Sequence, residues 1–175
     1  MVLKDKTGKS LSRSEGEAVM KGRGAITISI YAALLAICTL ISASNGSKVL
    51  TDNILASDTW AFYQAKSIKQ NLYEIANNIT SDKNLQDSYR SNILKLEDGR
   101  LQLYDKARAL EVERDEAKKK SPYYNMASAM LQIAIVLSST AILAVSMELL
   151  WASIFIGAIG AFLLANGYWM FLSLF

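Results

Sequence analysis

The sequence predicts an all-α membrane protein, with three transmembrane helices and a long antiparallel helical hairpin between the first and the second. Three observations predict it. Apolar residues make up 51% of the 175 residues but gather in 25–44 and 126–175, which is the segregation of a membrane protein. Charged residues are almost confined to 1–23 and 48–120. Between Val49 and Thr80 there is neither proline nor glycine, and apolar residues recur there at heptad spacing, the pattern of a helix packed along one seam.

Residues 1–24 read as a flexible basic arm, carrying Lys4, Lys6, Lys9, Arg13, Lys21 and Arg23 against Asp5, Glu15 and Glu17. Gly8-Lys9-Ser10 looks like the end of a phosphate-binding loop, but the upstream glycine that such a loop needs falls on Leu3, so the match is chance. Residues 25–44 carry no charge and would span about 30 Å as a helix, one hydrocarbon thickness. A cleaved signal peptide is the competing reading, because Ser42-Ala43-Ser44 resembles a cleavage site. The apolar run is longer than an ordinary signal core, which favours a retained span. Asn45-Gly46-Ser47 offers a turn, or at least a weak point, where the chain leaves the membrane.

Residues 45–122 form the expected hairpin outside the bilayer. Ala61, Ala65, Ile68, Leu72, Ile75 and Ile79 recur at spacings of 4, 3, 4, 3 and 4, a coiled-coil-like seam. Ser81-Asp82-Lys83-Asn84 supplies a polar turn. The second arm answers with Ile93, Leu96, Leu103, Ala107, Leu110 and Ala117, interrupted by Arg100 and Arg114. Folding the chain at Asp82 brings Leu72 level with Asn92 and Ile93, and Ala65 level with Gly99. Gly99 is then either a helix break or a point of close approach. Each arm would reach about 57 Å if fully helical. Ser121-Pro122 reads as an N-cap and first-turn proline of the next helix.

Tyr123 and Tyr124 sit where interfacial aromatics belong. From Met126 to Phe175 the one charge is Glu148. A single helix over that stretch would be about 75 Å long, so the chain must reverse. Ser146-Met147-Glu148 is the natural place, giving transmembrane helices over 123–146 and 149–171. Across that turn Ser138 and Ser139 come level with Gly157, and Gln132 lies within about one turn of Asn166. Small-residue contacts and amide hydrogen bonds of this kind hold membrane helices together. The alternative is a polar path lined by Gln132 and Asn166, for which a buried ionisable group is missing.

The basic arm against lone Lys48 predicts a cytoplasmic N-terminus, with the hairpin outside the cytoplasm. Lys118 to Lys120 pull locally the other way.

Composition excludes several activities. There is no histidine and one cysteine, so neither an internal disulfide nor a His/Cys metal site is available. Cys38 lies mid-span and reads as a packing residue. A net charge of +3, with both signs interleaved, indicates no nucleic-acid partner. No nucleophile–base arrangement, cofactor motif or metal set appears. The expectation is a non-enzyme without cofactors.

The run Asp58-Thr59-Trp60-Ala61-Phe62-Tyr63-Gln64-Ala65-Lys66-Ser67-Ile68-Lys69-Gln70-Asn71-Leu72-Tyr73-Glu74 is the densest mix of aromatic, amide and charged side chains in the chain. Its core, Trp-x-x-Tyr-Gln-Ala-Lys-Ser-x-Lys-Gln, resembles the domain-of-unknown-function 4337 family of small prokaryotic membrane proteins. Leu131-Gln132-Ile133-Ala134-Ile135-Val136-Leu137-Ser138-Ser139 adds a second match. The resemblance implies one span, a helical middle and a terminal pair over roughly 25–171, and implies no activity. The chain departs from the family pattern in two places. Met147-Glu148 stands where the family tends to have basic residues, and Pro122-Tyr123-Tyr124 where it often has histidines.

Trp60, Tyr63, Gln64, Ser67, Gln70 and Glu74 share one face of the first arm, away from the aliphatic seam. Aromatics with few charges are typical of interface cores, so this face is the candidate assembly surface. The expected function is a scaffold or accessory subunit, assembled as a homo-oligomer or with other membrane-protein subunits in the lipid bilayer. An oligomeric channel or transporter subunit, and a membrane-anchored enzyme or sensor, are the competing readings.

Overall fold

The computed structural model describes residues 13–171 as three α-helices: α1, Arg13–Ile79; α2, Lys83–Ala144; and α3, Met147–Trp169. Among the described residues there is no strand. All three helices are long and apolar enough to cross a membrane. The chain divides into two compact units, one of residues 1–45 with 119–175 and one of residues 46–118.

Three expected breaks are absent. Residues 1–12 lie outside the described residues, but the remainder of the basic arm is helical, and Met20 is buried in a cluster with Ala141 and Leu150. That burial supplies the packing that draws the charged end of α1 into the helix. Asn45-Gly46-Ser47 is helical as well; the Asn45 side-chain amide donates to Ser121 Oγ at 3.1 Å. Ser121 and Pro122 lie inside α2, so Ser121 serves as a side-chain acceptor and not as a cap. Pro122 there leaves the Lys118 carbonyl without its intrahelical donor.

The turns fall close to where the sequence places them. Thr80 to Asp82 separate α1 from α2, and Asp82 Oδ1 accepts from the Asn84 backbone N–H at 2.9 Å. The second turn is tighter than expected: Val145 and Ser146 alone separate α2 from α3. Val145 has φ 50°, and Ser146 N–H reaches back to the Ala141 carbonyl at 3.1 Å, a Schellman closure. Ser146 then caps α3, which puts Glu148 in the first turn of α3, where the helix dipole favours a carboxylate.

In the first unit the core is Tyr31 and Cys38 of α1, Tyr123, Ala127, Leu131 and Ala134 of α2, and Leu163 of α3. The second unit is an antiparallel helical hairpin made of the C-terminal part of α1 and the N-terminal part of α2.

Candidate functional site

The hairpin seam begins with the second arm. Tyr89, Ile93, Leu96, Arg100, Leu103, Ala107, Leu110, Arg114 and Ala117 form one line along it, each buried or half-buried, at spacings that alternate four and three. The two arginines are part of that line. Whatever packs against it must accommodate two guanidinium groups, which decides the face that the first arm presents.

That face is Asp52, Ala56, Thr59, Tyr63, Lys66, Gln70, Tyr73 and Asn77, all buried or half-buried. It also alternates four and three. Trp60 and Tyr63 meet Tyr104 at ring-centroid distances of 5.5 and 6.2 Å. Arg100 lies 5.6 Å above the Tyr63 ring, a cation–π contact. Trp60 Nε1 donates to Glu111 Oε1 at 3.0 Å. Arg114 donates to Asn53 Oδ1 at 3.2 Å, and Tyr73 packs on Tyr89 at 5.8 Å. Lys48 bridges Asp52 and Glu113 at 3.0 and 2.8 Å. A fold at Asp82 brings Trp60 level with Tyr104, Tyr63 with Arg100 and Tyr73 with Tyr89, whereas Trp60 reaches about two turns along the second arm to Glu111.

The two faces of the first arm are therefore exchanged relative to the sequence reading. Trp60, Tyr63, Ser67 and Gln70 of the expected assembly surface face the second arm of the same chain. Gln64 and Glu74 are exposed, and Gln70 Nε2 donates to Glu74 at 3.0 Å. The expected seam of Ala61, Ala65, Ile68, Leu72, Ile75 and Ile79 is exposed. The physical reason is complementarity: an aromatic ring and an amide partner Arg100 and Arg114, and isoleucines cannot. Gly99 is neither a break nor a backbone contact. The helix continues through it, and a Cβ there would meet the flexible end of Lys66.

The seam is incompletely satisfied. Gln70 Oε1, Asn77 Oδ1 and Arg100 Nε are buried without a hydrogen-bond partner, each an unfavourable desolvation. The electrostatics of its edge are set by close contacts. The Trp60 N–H, followed by Arg108, holds the Glu111 carboxyl below its ordinary value against a smaller desolvation effect. The Glu113 and Asp52 carboxylates raise the Lys48 ammonium. Tyr104 was not singled out in the sequence. Tyr104 stands level with Trp60 across the Asp82 turn, which is the signal that finds it.

In the first unit, Ser138, Gly157 and Asn166 are buried, whereas Gln132 and Ser139 are exposed. Gln132 donates to Ser128 at 3.2 Å instead of crossing to Asn166, and Ser139 bonds back to the Ile135 carbonyl. Ser138 pairs with Ser153, whose hydroxyl donates to the Ala134 carbonyl at 3.0 Å; Ser138 is thus the donor to Ser153. Tyr31 Oη donates to the Ser153 carbonyl at 3.3 Å, and Tyr124 Oη to the Gly167 carbonyl at 2.9 Å. Gly157 admits the Tyr31 ring, which a Cβ at that position would overlap. Tyr31 and Ser153 were missed in the sequence because an isolated tyrosine or serine in an apolar run carries no periodic signal.

Among the described residues no group of three or more Cys, Asp or Glu stands close enough to hold a metal ion. The concavities described in the first unit are open grooves, one of about 320 Å³ lined by Arg23, Ile26, Thr27, Met147, Leu150, Trp151 and Ile154. Another, of about 340 Å³, is lined by Thr39, Ser42, Ala43, Asn125 and Ser128. Neither gathers a nucleophile and a base.

Three helices long and apolar enough to cross a membrane, two of which pair as an antiparallel hairpin, define an all-α protein over the described residues. The chain belongs to the family described as Domain of unknown function (DUF4337), whose model matches residues 20–170. No curated protein and no solved structure matches it.

Proposed function

We propose that the protein is a non-enzymatic scaffold or accessory subunit of a prokaryotic inner membrane. Its three apolar helical segments cross the bilayer, and its hairpin, outside the bilayer, associates with further subunits. The N-terminus is cytoplasmic. One observation carries the reading. The hairpin leaves large aliphatic side chains in water along a regular stripe, with Ile54, Ile68, Leu72, Ile75 and Ile79 between 50% and 77% exposed. Monomeric soluble surfaces rarely keep contiguous apolar patches of that kind. The stripe lies in the charged part of the sequence, where lipid is not available to cover it.

The test is to express the full chain, wash the membranes in alkaline carbonate, and cross-link the retained protein with a short amine-reactive reagent. The reading expects the chain to stay in the membrane and to appear in species larger than one copy, alone or with another chain. Release by carbonate, or a chain that remains single, contradicts it.

A further inference from the structure

The exposed stripe on the first arm is a helix-pairing surface, and we infer that its partner is the same stripe on a second copy of this chain. The inference rests on the scaffold reading above and names the surface and the occupant. Ile54, Ala61, Ala65, Ile68, Leu72, Ile75 and Ile79 lie on the face of α1 opposite the seam, since the two lines of residues differ by about half a helical turn at 3.6 residues per turn. Their 4-3 spacing is the one that keeps two helices in register along a supercoil. The stripe runs about 39 Å at 1.5 Å per residue, and every residue in it is exposed. That gives several hundred Å² per copy, approaching the roughly 800 Å² per partner of a standard interface.

What borders the stripe selects a second copy. With Ala65, Leu72 and Ile79 at a and Ala61, Ile68 and Ile75 at d, the e positions are Phe62, Lys69 and Ala76. The g positions are Gln64, Asn71 and Asn78. From 54 to 79 the a, d, e and g positions carry two charges, Asp58 and Lys69, too few for a highly charged partner to complement. A second copy meets amides that both donate and accept, and in a parallel pair Gln64 faces Lys69 of the other copy, so no like charges are opposed along the e and g edges. Copies inserted in the same membrane share one orientation, so their first arms pair in parallel about a twofold axis, a self-complementary closed contact. Ala61 and Ala65 let the helices approach, and the larger residues toward Ile79 fill the far end.

One residue runs against this pairing. Asp58 occupies an a position, where it would meet its own counterpart. A polar residue at a single a position fixes register and copy number at a cost in affinity. The expected consequence is that a charge-free side chain there tightens the pair.

The experiment measures copy number for the full chain in nanodiscs by native mass spectrometry, over a range of protein-to-lipid ratios. It compares wild type with the triple variant Ile68→Gln, Leu72→Gln, Ile75→Gln and with Asp58→Leu. Glutamine is a good helix former, and the three replaced side chains are exposed, so the helix content measured by circular dichroism should not change. Wild type is expected to pair, the triple variant to pair at least roughly 100-fold more weakly, and Asp58→Leu roughly tenfold more tightly. Unchanged pairing in the triple variant overturns the inference. Loss of helix content in that variant overturns it too, because the stripe would then be packed within the chain. If the purified chain stays single in nanodiscs while cross-linked membranes show it bound to a different chain, self-pairing fails and the scaffold reading stands. A single chain in both settings overturns both.

Discussion

Tyr31 fills the space that any side chain at position 157 would occupy, so Gly157 is present for what passes beside it. Gly157→Ala forces the Tyr31 ring out of its place on Ser153 and should cost about 1–3 kcal/mol, read as a lower midpoint in thermal unfolding followed by tryptophan fluorescence in detergent. Val145 is the reverse case. A β-branched residue is held at φ 50° where glycine is usual, and the left-handed conformation costs an L residue about 1–2 kcal/mol. Relief of that strain outweighs the roughly 0.5–1 kcal/mol of added chain entropy that glycine brings. Val145→Gly is therefore expected to leave the midpoint unchanged or raise it. At the hairpin edge, the Glu111 carboxyl is held below its ordinary value first by the Trp60 N–H. A depressed carboxyl contributes stability that is present above its unfolded value, about 4.3 for glutamate, and that is lost as pH falls through the folded value. Trp60→Phe should shift the Glu111 titration upward by NMR; an unmoved titration would show that the hydrogen bond does not form in solution.

The helices show what periodicity can and cannot decide. The second arm's seam is legible from the sequence, because Arg100 and Arg114 punctuate a single 4-3 line and no other line competes with it. The first arm carries two such lines on opposite faces, one aliphatic and one aromatic and polar. Apolar character favours the aliphatic line, yet the arginines across the seam require the other. That choice depends on a partner surface that sits far away in sequence. Asn45-Gly46-Ser47, Asp98-Gly99 and Ser121-Pro122 mislead for a related reason: each is a local helix-breaking signal overridden by packing or by flanking helix. Gly99 accordingly remains as a pure propensity cost. Gly99→Ala meets only the Lys66 chain end and should stabilise the hairpin by up to about 1 kcal/mol, seen as a raised melting midpoint by circular dichroism. A lowered midpoint would mean that the arms approach more closely at Gly99 than the structure shows.

For the molecule as a whole, each unit follows its own rule. In the first, small residues and hydrogen bonds such as Ser138 to Ser153 do the joining, the kind of contact that also holds helices together in lipid. In the second, a polar and partly unsatisfied seam joins the arms, while the aliphatic line of the first arm is left exposed. The central claim is that this outside face joins copies of the chain and the seam does not. Single-cysteine cross-linking in native membranes tests it most directly, on a Cys38→Ala background with Ile75→Cys on the stripe or Ser67→Cys on the seam. Mild oxidation should yield a disulfide-linked pair for Ile75→Cys and none for Ser67→Cys. A pair formed through Ser67→Cys, with none through Ile75→Cys, would contradict the account.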